Sequence, residues 1–90
     1  MTKGDVYYYA RIHPATGIYE VDELCIRTVE ETYFVGTEKR TKQAFLFKYD
    51  ELEETVFLDR TKALDLVKAA EAEFKDKKKF TVDYDEGEII

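Results

Sequence analysis

One histidine and one cysteine stand in a chain of 90 residues, so metal and nucleophile chemistry has few side chains to draw on. His13 precedes Pro14 in a stretch of turn composition. Without a cysteine partner it does not make the ligand set of a usual zinc site, and as a general base it would need a pocket beside it. It reads as a solvated turn residue. Cys25 excludes an internal disulfide and a thiolate metal site. Flanked by Leu24 and Ile26, it reads as a small buried hydrophobe. The other chemistry-bearing groups are the paired carboxylates Asp22-Glu23, Glu30-Glu31, Asp50-Glu51 and Glu53-Glu54. Such pairs can hold a divalent cation or divide acid and base roles. None has the glycine-punctuated spacing of a calcium loop, and most fall in turn-like stretches where charge is simply hydrated. No convergent Ser/His/Asp or Cys/His set exists, so the expectation is a non-enzymatic protein with no cofactor and no metal.

Binding chemistry is better represented. The chain carries 7 tyrosines and 6 phenylalanines, more aromatic surface than so small a core needs. Tyr7, Tyr9 and Arg11 share one face of an alternating segment, a composition that suits a protein-binding surface or a platform for a nucleobase. A fold that covers both faces of the segment would bury them instead, and the sequence leaves the two readings level. The net charge of −6 sets a penalty on general binding to a phosphate backbone. The run Lys75-Asp76-Lys77-Lys78-Lys79 is the exception, and at a helix end it reads first as a match to the helix dipole. Acidic groups at residues 20–31 and 50–54 can imitate a phosphate backbone towards a basic cleft, although acidic loops are also ordinary.

These residues are positioned by short alternating segments. Asp5–Ile12 alternates as a strand, and His13–Gly17 supplies turn chemistry through Pro14 and Gly17. Ile18–Val29 reads as a long strand whose apolar parity changes. Tyr19 and Val21 lie on one face and Leu24 and Ile26 on the other, which predicts a β-bulge at Asp22-Glu23. Thr32–Thr37, Gln43–Tyr49 and Thr55–Leu58 complete five strands, and Asp50–Glu54 forms a loop or helical turn with Leu52 tucked in. From Asp59, a plausible N-cap, the period becomes helical to about residue 76. Ala63, Val67, Ala70 and Phe74 form its apolar stripe.

The expected fold is mainly β in an α+β arrangement. It is a small SH3-like, strongly curled five-stranded antiparallel sheet closed by one C-terminal amphipathic helix. An open meander with the helix laid across it is the competing topology, and pairing of the first and last strands would separate the two. Residues 1–79 form one domain, and residues 80–90 an acidic tail or an additional edge strand. No apolar run reaches the length that spans a bilayer, and no signal-peptide pattern follows Met1, so a cytoplasmic location is expected.

Gly4–Ile12, Thr16–Val21, Ile26–Val29, Tyr33–Gly36 and the junction Thr55–Leu64 together resemble small uncharacterised proteins of phages and mobile elements in Gram-positive bacteria. The resemblance covers roughly residues 4–72 and carries no catalytic residues. It implies a protein that binds and blocks a host protein, in the manner of anti-CRISPR and other anti-defence proteins. On this reading the partner is a host protein with a basic cleft, plausibly a nucleic-acid-handling defence effector. The contacts are Tyr7, Tyr9, Arg11, Asp22, Glu23, Asp50, Glu51, Glu53 and Glu54, with Tyr84, Asp85 and Glu86 in the tail. The alternative is a small nucleic-acid or nucleotide-binding module that stacks bases on tyrosine.

Overall fold

The computed structural model contains five strands and one helix in chain order. They are β1 (Val6–His13), β2 (Ile18–Val29), β3 (Tyr33–Glu38), β4 (Ala44–Lys48), β5 (Val56–Phe57) and α1 (Arg60–Ile89). Residues 1–75 are described in full. The expectations placed on residues 80–90, and on Tyr84, Asp85 and Glu86, lie outside the described residues. All strand pairs are antiparallel, in the order β4-β3-β2-β1-β5. The first and last strands do pair, Tyr8 opposite Phe57 and Tyr9 opposite Val56, which curls the sheet into a half-barrel. Among the described residues, no helix is long and apolar enough to cross a membrane.

Short-range chemistry sets the connections. Pro14 opens a 3-10 turn after β1, and Gly17 ends it at φ 71°, a left-handed conformation that costs glycine little. Asp59 caps α1, its carboxylate accepting the Thr61 N–H at 2.8 Å. The stripe behaves as its spacing predicts. Ala63 and Val67 are buried, and Phe74 packs its ring on Tyr19 with centroids 5.7 Å apart.

Two apolar clusters lie on opposite faces of the sheet. On the concave face Leu24, Ile26, Phe34, Phe47 and Val56 are buried, with Tyr7, Tyr9, Phe45, Tyr49 and Leu52 packed around them. Gly36 packs closely in this cluster: a Cβ there would lie 3.1 Å from the Leu24 Cβ, so Leu24 would have to give by a few tenths of an ångström. On the other face α1 lies on Ala10 and Phe57, flanked by Tyr8, Ile12, Tyr19 and Val21.

This double burial corrects the expected bulge at Asp22-Glu23. The β1–β2 register runs without a break from Val6 opposite Cys25 to His13 opposite Ile18. The apolar residues of β2 change parity because its two halves bury different faces. Tyr19 and Val21 point to the helix, and Leu24 and Ile26 point to the aromatic cluster. The register shift lies instead between Ile26 and Thr28, on the β3 side, where Arg27 is the extra residue. Cys25 is also corrected, being exposed rather than buried. It sits opposite Val6 and Thr37, in a row of the helix-side face where Val6 is itself 40% exposed.

Candidate functional site

Charged side chains gather in two regions of the half-barrel. The first lies on the concave face, where β1 and β2 bring Arg11 opposite Glu20, with Asp22 one step along the same row. The Arg11 guanidinium contacts Glu20 and lies 3.0 Å from an Asp22 carboxylate oxygen. Arg40, from the β3–β4 turn, reaches back to Glu20 at 3.6 Å, Asp22 at 3.8 Å and Glu38 at 3.4 Å. Glu38 also accepts hydrogen bonds from the Thr41 N–H and hydroxyl, which hold its carboxyl below the ordinary range. Asp22 differs. Its side chain is wholly buried, and its approach to Arg11 is an ion pair without hydrogen-bond geometry, so neither oxygen accepts a hydrogen bond. Burial pushes its pKa up against the pull of Arg11, and Glu20 and Glu38 add to the rise. Three carboxylates thus share two guanidiniums, which offset most of their charge within the cluster. Glu38 and Arg40 of this cluster also line a cavity of about 210 Å³.

The second region is an acidic margin. The Tyr49 hydroxyl donates to the Glu30 carbonyl, tying the β4–β5 connection to the β2–β3 turn. Exposed Glu30 and Glu31 thereby share a margin with exposed Asp50. The connection then runs through exposed Glu53 and Glu54 towards β1, where the Ala10 N–H donates to the Thr55 carbonyl. Glu53, turned by a left-handed φ of 65°, reaches Lys62 of α1 at 3.8 Å. Among the described residues, no ion pair reaches Glu30, Glu31, Asp50 or Glu54. Four carboxylates on one margin without counter-charge make a field that attracts a basic surface.

The structure thus divides the residues that the sequence grouped together. Asp50, Glu53 and Glu54 are exposed on the acidic margin. Glu51 is half-buried and turned inward, accepting the Lys48 N–H at 3.0 Å. Glu23 is half-buried and paired with Lys39 at 3.5 Å. Asp22 is in the core, which removes it from any contact surface. Tyr7 and Tyr9 are half-buried against the aromatic cluster. Tyr9 lies 5.0 Å from the Phe47 ring and 5.5 Å from Phe45, and desolvation raises its hydroxyl pKa. Arg11 is held by Glu20 and Asp22. The aromatic face is therefore half-buried, packed on the core by one side of its rings.

Glu30 and Glu31, within the acidic stretch 20–31 expected to imitate a phosphate backbone but not among the expected contacts, belong to the margin. The signal that joins them to Asp50 is the Tyr49 contact, 19 residues distant in sequence, which no local pattern announces. His13 is exposed, as expected, but as the last residue of β1 opposite Ile18, with the turn beginning at Pro14. Among the described residues, no group of His, Cys, Asp and Glu is arranged to hold a metal ion. No protein family, curated protein or solved structure matches the chain.

Proposed function

We propose that this chain is a non-enzymatic binding protein that docks its acidic margin on a basic surface of another protein and thereby blocks or modulates it. The observation that carries the reading is the set Glu30, Glu31, Asp50 and Glu54, exposed and without an ion-pair partner among the described residues, while the other acidic cluster is paired with guanidiniums within the fold. A basic cleft that ordinarily receives nucleic acid is the partner class whose charge fits best. The phage and mobile-element resemblance makes a host defence effector the leading example. Uncompensated charge would speed encounter, and apolar contacts at the same margin would set lifetime.

The test is affinity capture from a bacterial host lysate with the wild-type chain and with a variant carrying Glu30→Lys, Glu31→Lys, Asp50→Lys and Glu54→Lys. The wild type is expected to retain a basic nucleic-acid-handling protein that the folded variant does not. Equal capture by both would sink the reading. The nucleotide-binding alternative would have to stack bases on Tyr7 or on a Tyr9 ring already packed against Phe45 and Phe47, which favours the docking reading.

A further inference from the structure

β2 is twice as long as β3, and the difference leaves part of one strand edge open. Residues 24–29 of β2 pair with β3, whereas residues 18–23 pair with β1 alone. The direction of the open groups follows from the ladder. At the pair Ala10–Val21 the Ala10 N–H donates to Thr55 on the far side, so this is a non-hydrogen-bonded pair of the β1–β2 ladder. Val21, and Tyr19 two residues before it, therefore turn their N–H and C=O away from β1. The next outward carbonyl, that of Glu23, accepts the Lys39 N–H at 3.0 Å, after which the chain departs into the β3–β4 turn. Among the described residues no backbone hydrogen bond reaches the outer edge of Tyr19 or Val21.

Two cavities flank this open edge on the helix side. One, of about 210 Å³, is lined by Tyr8, Val21, Glu23, Glu38, Lys39, Arg40 and Arg60. The other, of about 250 Å³, is lined by Pro14, Tyr19, Ala70, Glu73 and Phe74. Both are below the usual size of a metabolite pocket, roughly 300 Å³ and upward, and each suits one side chain. They open beside Val21 and Tyr19, two residues apart on one strand face, the repeat at which an added strand presents alternate side chains (about 7 Å). The first cavity carries three basic and two acidic side chains in a chain of net charge −6. Lys39 is paired with Glu23 and Arg40 with Glu38, whereas Arg60 makes no ion pair among the described residues and is the cation left for an incoming acidic group. The second is apolar, walled by the Tyr19 and Phe74 rings. The Tyr19 hydroxyl is buried there without a hydrogen-bond partner among the described residues.

We propose that the Tyr19–Glu23 edge of β2 receives an extended peptide segment of a partner protein by strand addition. An acidic side chain of the segment enters the Arg60 cavity, and an apolar or aromatic one, two residues away, enters the Tyr19–Phe74 cavity. Backbone hydrogen bonds to Tyr19 and Val21 supply affinity, and the two cavities supply the choice of sequence. Charges along an edge also discourage unwanted pairing. A protective role alone does not call for two cavities in register with the open backbone groups. The site is separate from the acidic margin and opposite in charge.

The probe is a fluorescein-labelled heptapeptide of threonines, with glutamate and phenylalanine at its third and fifth positions, read by fluorescence polarisation. Binding to the wild-type chain is expected. Arg60→Glu should weaken it by about tenfold or more. This substitution lies in the first turn of α1, where an acidic residue suits the helix dipole, so the fold is retained. Val21→Pro removes an N–H that has no hydrogen-bond partner among the described residues and should abolish binding. N-methylation of the peptide amides should do the same with the protein untouched, so the idea remains testable if Val21→Pro fails to fold. The charge-reversed variant of the acidic margin should bind the peptide as the wild type does. Absence of binding at ~1 mM peptide, or binding indifferent to both Arg60→Glu and N-methylation, would overturn the proposal. Self-association of the chain that excludes the peptide and disappears in Val21→Pro would assign the edge to a second copy, and would overturn it as well.

Discussion

The concave-face cluster and the acidic margin are built from the same residue types and do opposite things. In the cluster, Glu20, Asp22 and Glu38 share Arg11 and Arg40, and two of the three carboxylates are buried. In the margin, Glu30, Glu31, Asp50 and Glu54 face solvent without an ion-pair partner among the described residues. Carboxylates that must leave water are held where strands bring guanidiniums to them. Carboxylates that stay in water need no partner for folding and are free to meet one from outside. Acidic composition alone does not distinguish the two.

The comparison is broken most severely at Arg11. Arg11→Ala leaves Asp22 buried beside Glu20 and Glu38 with only the exposed Arg40 nearby, and should cost about 3 kcal/mol in urea denaturation. The double variant Arg11→Met/Asp22→Leu should recover most of that loss, because apolar groups of similar size have no charge to desolvate. Full recovery of the single variant on its own would show that Asp22 does not depend on Arg11. On the margin, Tyr49→Phe deletes the hydroxyl tie to the Glu30 carbonyl. A loss of about 1 kcal/mol is expected, with weaker capture of the basic partner as the two acidic segments separate. The fourfold lysine variant of the margin should shift the unfolding midpoint by less than ~0.5 kcal/mol. A large shift would mean that these carboxylates support the fold.

The smallest effect is in the pH dependence. Asp22 has its pKa raised above the ordinary 3.8, so the folded state holds a proton that the unfolded chain releases. Its contribution to stability is present below 3.8 and is lost as the pH rises through the raised value. Glu38, with its pKa lowered from 4.5, runs the other way. Its contribution is present above 4.5 and is lost as the pH falls through the lowered value. Asp22→Asn should flatten the first dependence and leave the second, as read from urea midpoints between about pH 3 and 7. An unchanged profile would place the Asp22 carboxyl in contact with solvent.

Much of the fold was legible because it rests on local periodicity. β2 is read at its full length, Asp59 caps the helix, and the Ala63–Phe74 stripe faces the sheet as its spacing requires. The Tyr49–Glu51 turn and the inward Leu52 also follow the pattern. What failed was the assignment of faces. The parity change in β2 has two explanations at the level of sequence, an inserted residue or a change in the covered face, and both give the same string of residues. Cys25, between two buried neighbours, was misplaced for the same reason, since alternation shows which residues share a face but not which face is covered where. The candidate margin was half legible. Asp50, Glu53 and Glu54 stand out by type, while Asp22 was grouped with them although it lies in the core.

By itself, then, the sequence determined a five-stranded antiparallel sheet, one capped helix and an acidic balance, because these follow from interactions within a few residues. The tertiary structure decided which carboxylates are paired, that Tyr7 and Tyr9 are half-buried against the aromatic cluster, and that β2 keeps an open edge. Each of these depends on what lies across the sheet: α1 reaches Tyr19 and Val21, β3 stops at Glu38, and Arg40 returns from its turn to three carboxylates. Charge is specified residue by residue, but its compensation is a property of neighbours brought together by the fold.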